Sequence, residues 1–97
     1  MDSGKIIKLF VEAAGNDPQM SAYHVSVYVA LVHRSLLLDG AMSFRVFSRE
    51  ILPFAKVSRP GTYHQILTDL ARRGYIKYDP SHSSVTGSMV TLMVLNP

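Results

Sequence analysis

Residues 58–78 read SRPGTYHQILTDLARRGYIKY and decide the fold, because they contain one amphipathic helix and the strand that follows it. Apolar side chains recur there at positions i, i+3, i+4 and i+7, the spacing of one buried helix face: Tyr63, Ile66, Leu67 and Leu70. Proline is tolerated in a first helical turn, and glycine commonly ends a helix in the left-handed conformation. Pro60 and Gly74 therefore bracket a predicted helix over residues 59–73, with Ser58 as its N-cap.

A shorter helix precedes this one. Ser48 is its predicted N-cap, and its apolar residues follow closely: Ile51, Leu52, Phe54 and Ala55. Pro53 lies inside it and should kink or shorten it, because proline removes a backbone hydrogen bond. A turn at Lys56 and Val57 then leads to the second helix. Residues 48–73 thus form a predicted helix-turn-helix.

Strands are predicted on both sides of the helix-turn-helix. Residues 43–47 alternate in polarity and predict a short edge strand before it. After it, residues 75–78 and 89–95 predict two strands that are joined by the polar loop 79–88. These two strands form a predicted hairpin over residues 75–95, with the loop at its tip.

Two further helices are predicted in the N-terminal half. The first covers residues 5–14 and is followed by Gly15, and the second covers residues 22–38 with Ser21 as its N-cap. The second helix carries a main apolar stripe and another on roughly the opposite side: Val25, Val29, Val32 and Leu36, then Val27, Ala30, Leu31 and Leu38. A surface helix needs only one such stripe. The second helix is therefore either wrapped by the first helix or part of a dimer contact.

The composition bounds the class of protein. The chain has 97 residues, 47% of them apolar and 18% charged, which suits one folded domain and not a disordered chain. It contains no cysteine, so disulfides, thiolate metal sites and a cysteine nucleophile are excluded. Neither a secretory signal nor an apolar run long enough to span a bilayer is visible. The expected location is the cytoplasm, without a membrane partner.

The basic residues are concentrated in the second half of the chain. The net charge is +3. Residues 1–43 contain three basic and four acidic residues, whereas residues 44–78 contain seven basic and two acidic ones. A positive field on one side of a domain favours a polyanionic partner, and a merely solvated basic surface is the alternative.

The exposed face of the second helix of the helix-turn-helix predicts contacts with double-stranded DNA, because that helix is the one that can enter a major groove. Gln65 can form a bidentate contact with an adenine edge, and the hydroxyls of Thr62 and Thr68 can reach phosphate or base. Ser58 and the free amides of the first turn form a predicted phosphate site. Gly61 has no side chain and therefore lets the DNA backbone approach this site closely. The remaining predicted contacts are phosphate-neutralising basic residues, one histidine at the edge of the face and two hydroxyls of the loop: Arg49, Lys56, Arg59, Arg72, Arg73, Lys77, His64, Ser83 and Ser84.

Three segments resemble winged helix-turn-helix domains: residues 47–51, 58–63 and 67–76. In that family a leucine-bearing recognition helix ends in glycine and leads directly into a strand with an aromatic residue and an isoleucine. A narrower set resembles small proteins associated with conjugative transposons and plasmids of Bacteroides-type bacteria: residues 62–64, 74–78, 80–81 and 87–88. Both resemblances imply a DNA-binding regulator that contacts its target through the recognition helix and the wing. Pro53 and a wing without lysine or arginine depart from the family's pattern, which leaves the docking on DNA open.

Together these elements predict an α+β fold, a winged helix-turn-helix with a mostly helical core of three to four helices and a small antiparallel β-hairpin as the wing. Residues 1–97 form one predicted domain, in which residues 1–17 are an N-terminal helical extension. The predicted function is sequence-specific binding of double-stranded DNA, as a transcriptional regulator or a mobile-element control protein.

A protein-interaction module is the alternative, because winged helices also serve that purpose and +3 is a low net charge for a DNA-binding protein. On that interpretation the functional surface is the apolar face of helix 22–38, with Leu31 and Leu38, which could also form a homodimer. Several acidic residues on the exposed face of helix 59–73 would favour this alternative. Asp69 is the only one there, and it lies at the margin of that face, which favours DNA binding instead.

No enzymatic activity, cofactor site or metal site is predicted. The four histidines are isolated in the sequence, whereas a metal site needs converging ligands: His24, His33, His64 and His82. The sequence contains neither a serine on a strand-to-helix elbow nor a glycine-rich phosphate loop.

Overall fold

The computed structural model describes residues 3–81 and 87–94. Within these residues the chain forms four helices and one three-stranded antiparallel sheet. The elements follow in the order α1 (Ser3–Gly15), α2 (Ala22–Leu37), β1 (Ser43–Val46), α3 (Ser48–Ala55), α4 (Pro60–Arg72), β2 (Ile76–Asp79) and β3 (Ser88–Leu92). The α+β class and the predicted order of elements are confirmed.

The sheet places the last strand in the middle, in the order β1-β3-β2. Val90 of β3 lies opposite Phe44 of β1 on one side and opposite Tyr78 of β2 on the other. β1 is therefore an edge strand, as its alternating polarity predicts, and β2 and β3 form the predicted hairpin. The helices α2, α3 and α4 are followed by the β2–β3 hairpin, whose strand β3 pairs with β1. This arrangement is compatible with a winged-helix layout without being specific to it.

α2 packs against α1, α3 and α4. Val27, Tyr28 and Leu31 are completely buried, whereas Val29 is 42% exposed and Leu36 is 54% exposed. The core face of α2 therefore largely follows the second predicted stripe, in which Val27, Ala30 and Leu31 are buried, whereas of the main stripe Val32 is buried and Val29 and Leu36 are exposed. Leu31 cannot belong to an exposed interaction face either, because it is buried in the core.

The position of α1 explains why α2 buries that side. The ring of Phe10 in α1 stacks on the ring of Tyr28 in α2, with centroids 3.8 Å apart. Tyr75, just before β2, meets both rings edge-on. α1 therefore covers the side of α2 that carries Tyr28, which belongs to neither predicted stripe, and this contact agrees with the first of the two explanations offered, in which α1 wraps α2.

Two predicted helix caps are wrong. α3 starts at Ser48 itself, so Phe47 is its N-cap, and Phe47 makes no side-chain capping hydrogen bond. The N-cap of α4 is Arg59 and not Ser58. The physical reason is Pro60, because proline forces the preceding residue out of the helical region and Arg59 is accordingly extended, with φ −107° and ψ 117°.

Other helix ends agree with the sequence. The Ser21 hydroxyl accepts a hydrogen bond from the His24 amide and caps α2 as predicted. Pro53 is accommodated inside α3, which ends at Lys56 in the left-handed conformation. Gly74 follows α4 with a φ of +86°, as expected of a glycine that ends a helix.

The core contains at least one fully buried residue from each of α1 to α4, β2 and β3 and lies between the helices and one face of the sheet. Its largest buried side chains are Tyr28, Tyr63, Phe10, Leu31, Ile51, Leu67, Leu70, Ile76 and Leu92. In the part of the chain that the structure describes, none of the helices combines the length and the apolarity that crossing a bilayer requires.

Candidate nucleic-acid interface

α4 has one buried face and one exposed face. Tyr63, Leu67 and Leu70 are at most 1% exposed and anchor the helix in the core, as their spacing predicts. Four residues at intervals of three or four positions lie on the opposite side and are exposed: Gly61, Gln65, Thr68 and Arg72. These four residues are called the exposed face of α4 below.

Asp69 is the one acidic residue of α4, and three side chains donate hydrogen bonds to its carboxylate. Arg72 and Arg73 bind it from the same helix, the latter through Nε at 2.8 Å, and His24 Nε2 binds it from α2 at 2.6 Å. Burial acts to raise the pKa of Asp69, but these hydrogen bonds outweigh it and hold the pKa well below its ordinary value of 3.8. Asp69 is therefore ionised at neutral pH, with its charge compensated inside the protein.

Arg73 completes this polar cluster by binding the loop between α1 and α2. Its Nη1 donates to Asp17 Oδ2 at 2.8 Å and its Nη2 donates to Gln19 Oε1 at 2.9 Å. Only 21% of its side chain is exposed. The sequence suggested Arg73 as a phosphate contact, but all three guanidinium nitrogens donate to other protein groups. Arg73 thus joins the end of α4 to the α1–α2 loop.

His24 is the residue of this polar cluster whose role was not predicted from the sequence, in which it is an isolated histidine. The amide of Ser21 donates to its Nδ1 at 2.9 Å, and an amide can only donate, so Nδ1 carries no proton. The proton of the neutral ring therefore lies on Nε2 and is donated to Asp69. No local pattern could have revealed this contact, because His24 and Asp69 are 45 positions apart.

Apart from Arg73, the basic residues predicted to contact DNA lie in exposed positions on or around α4. Arg59 is the N-cap of α4, and Lys56 ends α3. Arg49 lies in the first turn of α3 with its guanidinium 4.4 Å above the Phe47 ring, and Lys77 is an exposed residue of β2. With Arg72 they make five exposed cations on α3, α4, β2 and the α3–α4 turn.

Ser58, Arg59 and Thr62 come together at the start of α4. They line a hollow of about 310 Å³ with Tyr23 and Val57. Ser58 is exposed there although it is not the N-cap. The predicted site residues Ser83 and Ser84, like His82, lie outside the described residues.

A second hollow lies between α3, α4 and the hairpin and is called the hairpin pocket below. It measures about 230 Å³, and the polar residues among its described lining are seven: Ser48 and Arg49 of α3, Tyr63 and His64 of α4, Tyr78 of β2, Ser81 after it and Ser88 of β3. His64 Nδ1 and the Tyr78 hydroxyl are 3.2 Å apart. No acidic residue is among the described residues that line this pocket. The hairpin pocket thus brings Arg49 and His64 together, which the sequence had placed on separate helices.

Comparisons of the chain with protein-family models, with curated proteins and with solved structures found no match. What the chain binds is therefore inferred from the geometry and charge of its own residues. In the described part of the chain, histidine and carboxylate side chains do not gather in groups of three or more that could hold a metal ion.

Proposed function

We propose that this chain is a sequence-specific double-stranded DNA-binding protein of the winged helix-turn-helix class, with α4 as its recognition helix. Its biological role is then that of a transcriptional regulator or a mobile-element control protein, the role that the sequence resemblances imply. The observation that carries the proposal is the exposed face of α4, which is polar, while the carboxylate of Asp69, the one acidic residue of α4, is paired with Arg72 and Arg73 and accepts a hydrogen bond from His24.

The charge of Asp69 matters because DNA carries one negative charge per ~1.7 Å of helix axis. A free carboxylate on a recognition helix would be repelled by this backbone. Here the carboxylate is bound by Arg72, Arg73 and His24, and 16% of its side chain is exposed. Because Arg72 offsets the charge of Asp69, the positive field at α4 comes mainly from its N-cap Arg59, which suits an approach to phosphates.

The residues on the exposed face of α4 divide into two roles. Gln65 lies near its middle, where its amide can donate to and accept from one adenine edge. The Thr68 hydroxyl donates to the His64 carbonyl at 2.9 Å, which leaves its methyl group and its oxygen, now only as an acceptor, for a base. Arg59, Lys56, Arg49 and Lys77 surround this face and neutralise phosphates, which supplies affinity without sequence information.

Substitution of Gln65 and of Arg59 should have different effects on DNA binding. Gln65→Ala should weaken binding to a selected site by about tenfold to a hundredfold while binding to random duplex changes little, because one bidentate base contact is worth about 1–3 kcal/mol. Arg59→Gln should weaken binding to both duplexes and lower the slope of log K against log salt by about one. The measurement is fluorescence anisotropy at several salt concentrations, with a duplex selected by the wild-type protein from a random pool.

Lys8→Gln is the matched control for Arg59→Gln, because it also removes one positive charge but lies on α1, where Lys8 pairs with Glu12. It should leave both affinities near those of the wild type. Equal losses from Gln65→Ala on selected and random duplexes would contradict the assignment of base recognition to Gln65. Absence of binding to any duplex at low salt would contradict the proposed function.

A second candidate function, interaction with protein, is favoured by one apolar surface on α2 and α3. Leu36 is 54% exposed, Leu37 is 59% exposed and Phe54 is 63% exposed. The ring of His33 on α2 meets the ring of Phe54 on α3, with centroids 5.0 Å apart, so the two helices share this surface. It is called the α2–α3 apolar surface below.

We propose a second copy of this chain as the occupant of the α2–α3 apolar surface. Arg34, the only charged residue of α2, is paired with Glu50 of α3 at 3.0 Å, so the surface offers no unpaired charge of its own to an oppositely charged partner. An uncharged apolar surface is complementary to itself, which is what a two-fold symmetric contact requires. Such a homodimer is compatible with DNA binding to the extent that its apolar residues, Leu36, Leu37 and Phe54, are not part of the exposed face of α4.

Leu37→Glu should convert such a dimer to a monomer in sedimentation equilibrium, because it would bury a carboxylate against an apolar surface. Val11→Glu is the matched control, since Val11 is 48% exposed on α1 and lies outside the α2–α3 apolar surface. A wild-type protein that is monomeric at its highest soluble concentration, or equal dissociation in both variants, would rule out this contact.

A further inference from the structure

The hairpin pocket has the size and the polarity of a site for a small anion. Its volume of about 230 Å³ corresponds to roughly seven or eight water molecules at ~30 Å³ each, enough for one tetrahedral oxyanion and its remaining hydration. Arg49 supplies a permanent positive charge, and no carboxylate among the described lining residues opposes it.

Tyr63 lines this pocket, and its hydroxyl is a polar group that the described residues leave without a partner. Tyr63 is 1% exposed, and its hydroxyl is buried without a hydrogen-bond partner among the described residues. Burial, and then the neighbouring phenol of Tyr78, raise the pKa of Tyr63 far above its ordinary value of 10.0, so the hydroxyl keeps its proton and can only serve as a donor to an anion. A buried hydroxyl without a partner destabilises the folded protein, because it has lost its hydrogen bonds to water and gained none. A ligand that accepts from Tyr63 would recover this cost.

The start of α3 supplies further donors to the same pocket. The amides of Ser48 and Arg49 belong to the first turn, where no carbonyl of the helix can accept from them. Phe47, the N-cap, offers no side-chain acceptor, and the amides of Glu50 and Ile51 both donate to the Phe47 carbonyl. The positive end of the helix dipole therefore meets the pocket at residues that line it.

We propose that the hairpin pocket binds a phosphate group through the first amides of α3, the guanidinium of Arg49 and the hydroxyl of Tyr63. Two sources carry this group, a phosphate of the DNA backbone or a free phosphate that acts as an effector. The first source rests on the proposed DNA-binding function and names where a backbone phosphate is held beside α4. The second does not depend on DNA binding.

The probe is inorganic phosphate, titrated at constant ionic strength into the full chain and followed by ¹H–¹⁵N NMR. The amides of Ser48 and Arg49 should shift with saturation in the millimolar range, about −4 kcal/mol of binding free energy. Tyr63→Phe should weaken phosphate binding about tenfold or more, since it removes one hydrogen bond to a charged group. Arg49→Gln should weaken it at least as much.

Tyr28→Phe is the matched control, because the Tyr28 hydroxyl is also buried without a partner among the described residues but does not line the hairpin pocket. It should bind phosphate like the wild type. In the absence of phosphate, Tyr63→Phe should be as stable as the wild type or more so, because it removes an unpaired hydroxyl. This variant therefore separates binding from folding.

Saturable shifts at the α3 amides that Tyr63→Phe weakens and Tyr28→Phe does not would support the phosphate site. If duplex DNA then displaces phosphate, the backbone is the source, and if both bind together, free phosphate is. The phosphate site would be overturned if the α3 amides do not shift, or if Tyr63→Phe binds phosphate as tightly as the wild type. Either result would count against the site even if duplex DNA still binds to α4. Phosphate binding without duplex binding would overturn the proposed DNA-binding function and leave the phosphate site standing.

Discussion

Asp69→Asn should lower the free energy of unfolding by about 2–3 kcal/mol, because it removes the charge on which three donors converge. Breaking a fully buried ion pair costs about 3–5 kcal/mol, and we expect less here since 16% of the Asp69 side chain is exposed. The loss would fall on the contacts that join α4 to α2 and to the α1–α2 loop. Urea denaturation followed by circular dichroism measures it.

The same substitution should also change how stability depends on pH. The pKa of Asp69 in the folded protein lies below its ordinary value of 3.8, so folding favours the ionised form. The stability that the carboxylate contributes is present above about pH 4 and is lost as the pH falls towards the lowered pKa. The free energy of unfolding of the wild type should therefore fall more steeply below about pH 4 than that of Asp69→Asn.

Asp17→Asn is the matched control for Asp69→Asn. Asp17 also accepts from Arg73, but its side chain is 31% exposed and it lies in a loop. The expected loss is below about 1 kcal/mol, as is typical of ion pairs near the surface. Equal losses in the two variants, or an unchanged acid limb in Asp69→Asn, would show that Asp69 is not the centre of the polar cluster.

Gly87→Ala should lower the free energy of unfolding by about 2–4 kcal/mol. Gly87 has a φ of +69°, and a Cβ there would lie 2.9 Å from the Phe47 ring and 2.9 Å from the Val46 carbonyl oxygen. The ring could move slightly, but the carbonyl belongs to β1, whose Val46 pairs with Ser88 of β3. The clash therefore acts on the sheet itself.

Gly74→Ala separates the backbone strain from the clash. Gly74 also has a positive φ, of +86°, but no atom lies within 4 Å of the Cβ position. Gly74→Ala should therefore lower the free energy of unfolding by only about 1–2 kcal/mol, the cost of holding alanine in the left-handed conformation. Thermal or urea denaturation of both variants measures the difference, and a Gly87→Ala protein no less stable than Gly74→Ala would contradict the close approach of β1.

Much of the fold could be predicted because its elements are determined locally. The apolar spacing of α4 placed Tyr63, Leu67 and Leu70 in the core, and by the same geometry it placed Gln65 on the opposite, exposed side. The cap at Ser58 was the local error, since the steric effect of Pro60 on Arg59 outweighs the capping preference of serine. Because Pro60 is adjacent to Arg59 in the sequence, the correct N-cap could have been predicted without the structure.

The candidate site could be predicted only in part. Exposure of Arg59, Lys56 and Lys77 followed from their positions in the helices and strands. The engagement of Arg73 did not, because its partners Asp17 and Gln19 lie 56 and 54 positions away. The hairpin pocket could not be predicted from the sequence either, because it forms only where α3, α4 and the hairpin meet.

The sequence by itself determined the order of the elements, the two faces of α4 and the basic character of its second half, because each depends on residues within a few turns of one another. Only the tertiary structure decided which stripe of α2 is buried, since both are apolar enough for a core, and packing against α1, α3 and α4 buries Val27 and Leu31 and leaves Val29 exposed. It also decided that Asp69 is paired with Arg72 and Arg73 and that the hydroxyl of Tyr63 is left without a partner among the described residues. Those outcomes depend on contacts between distant segments, which packing selects and local preference does not specify.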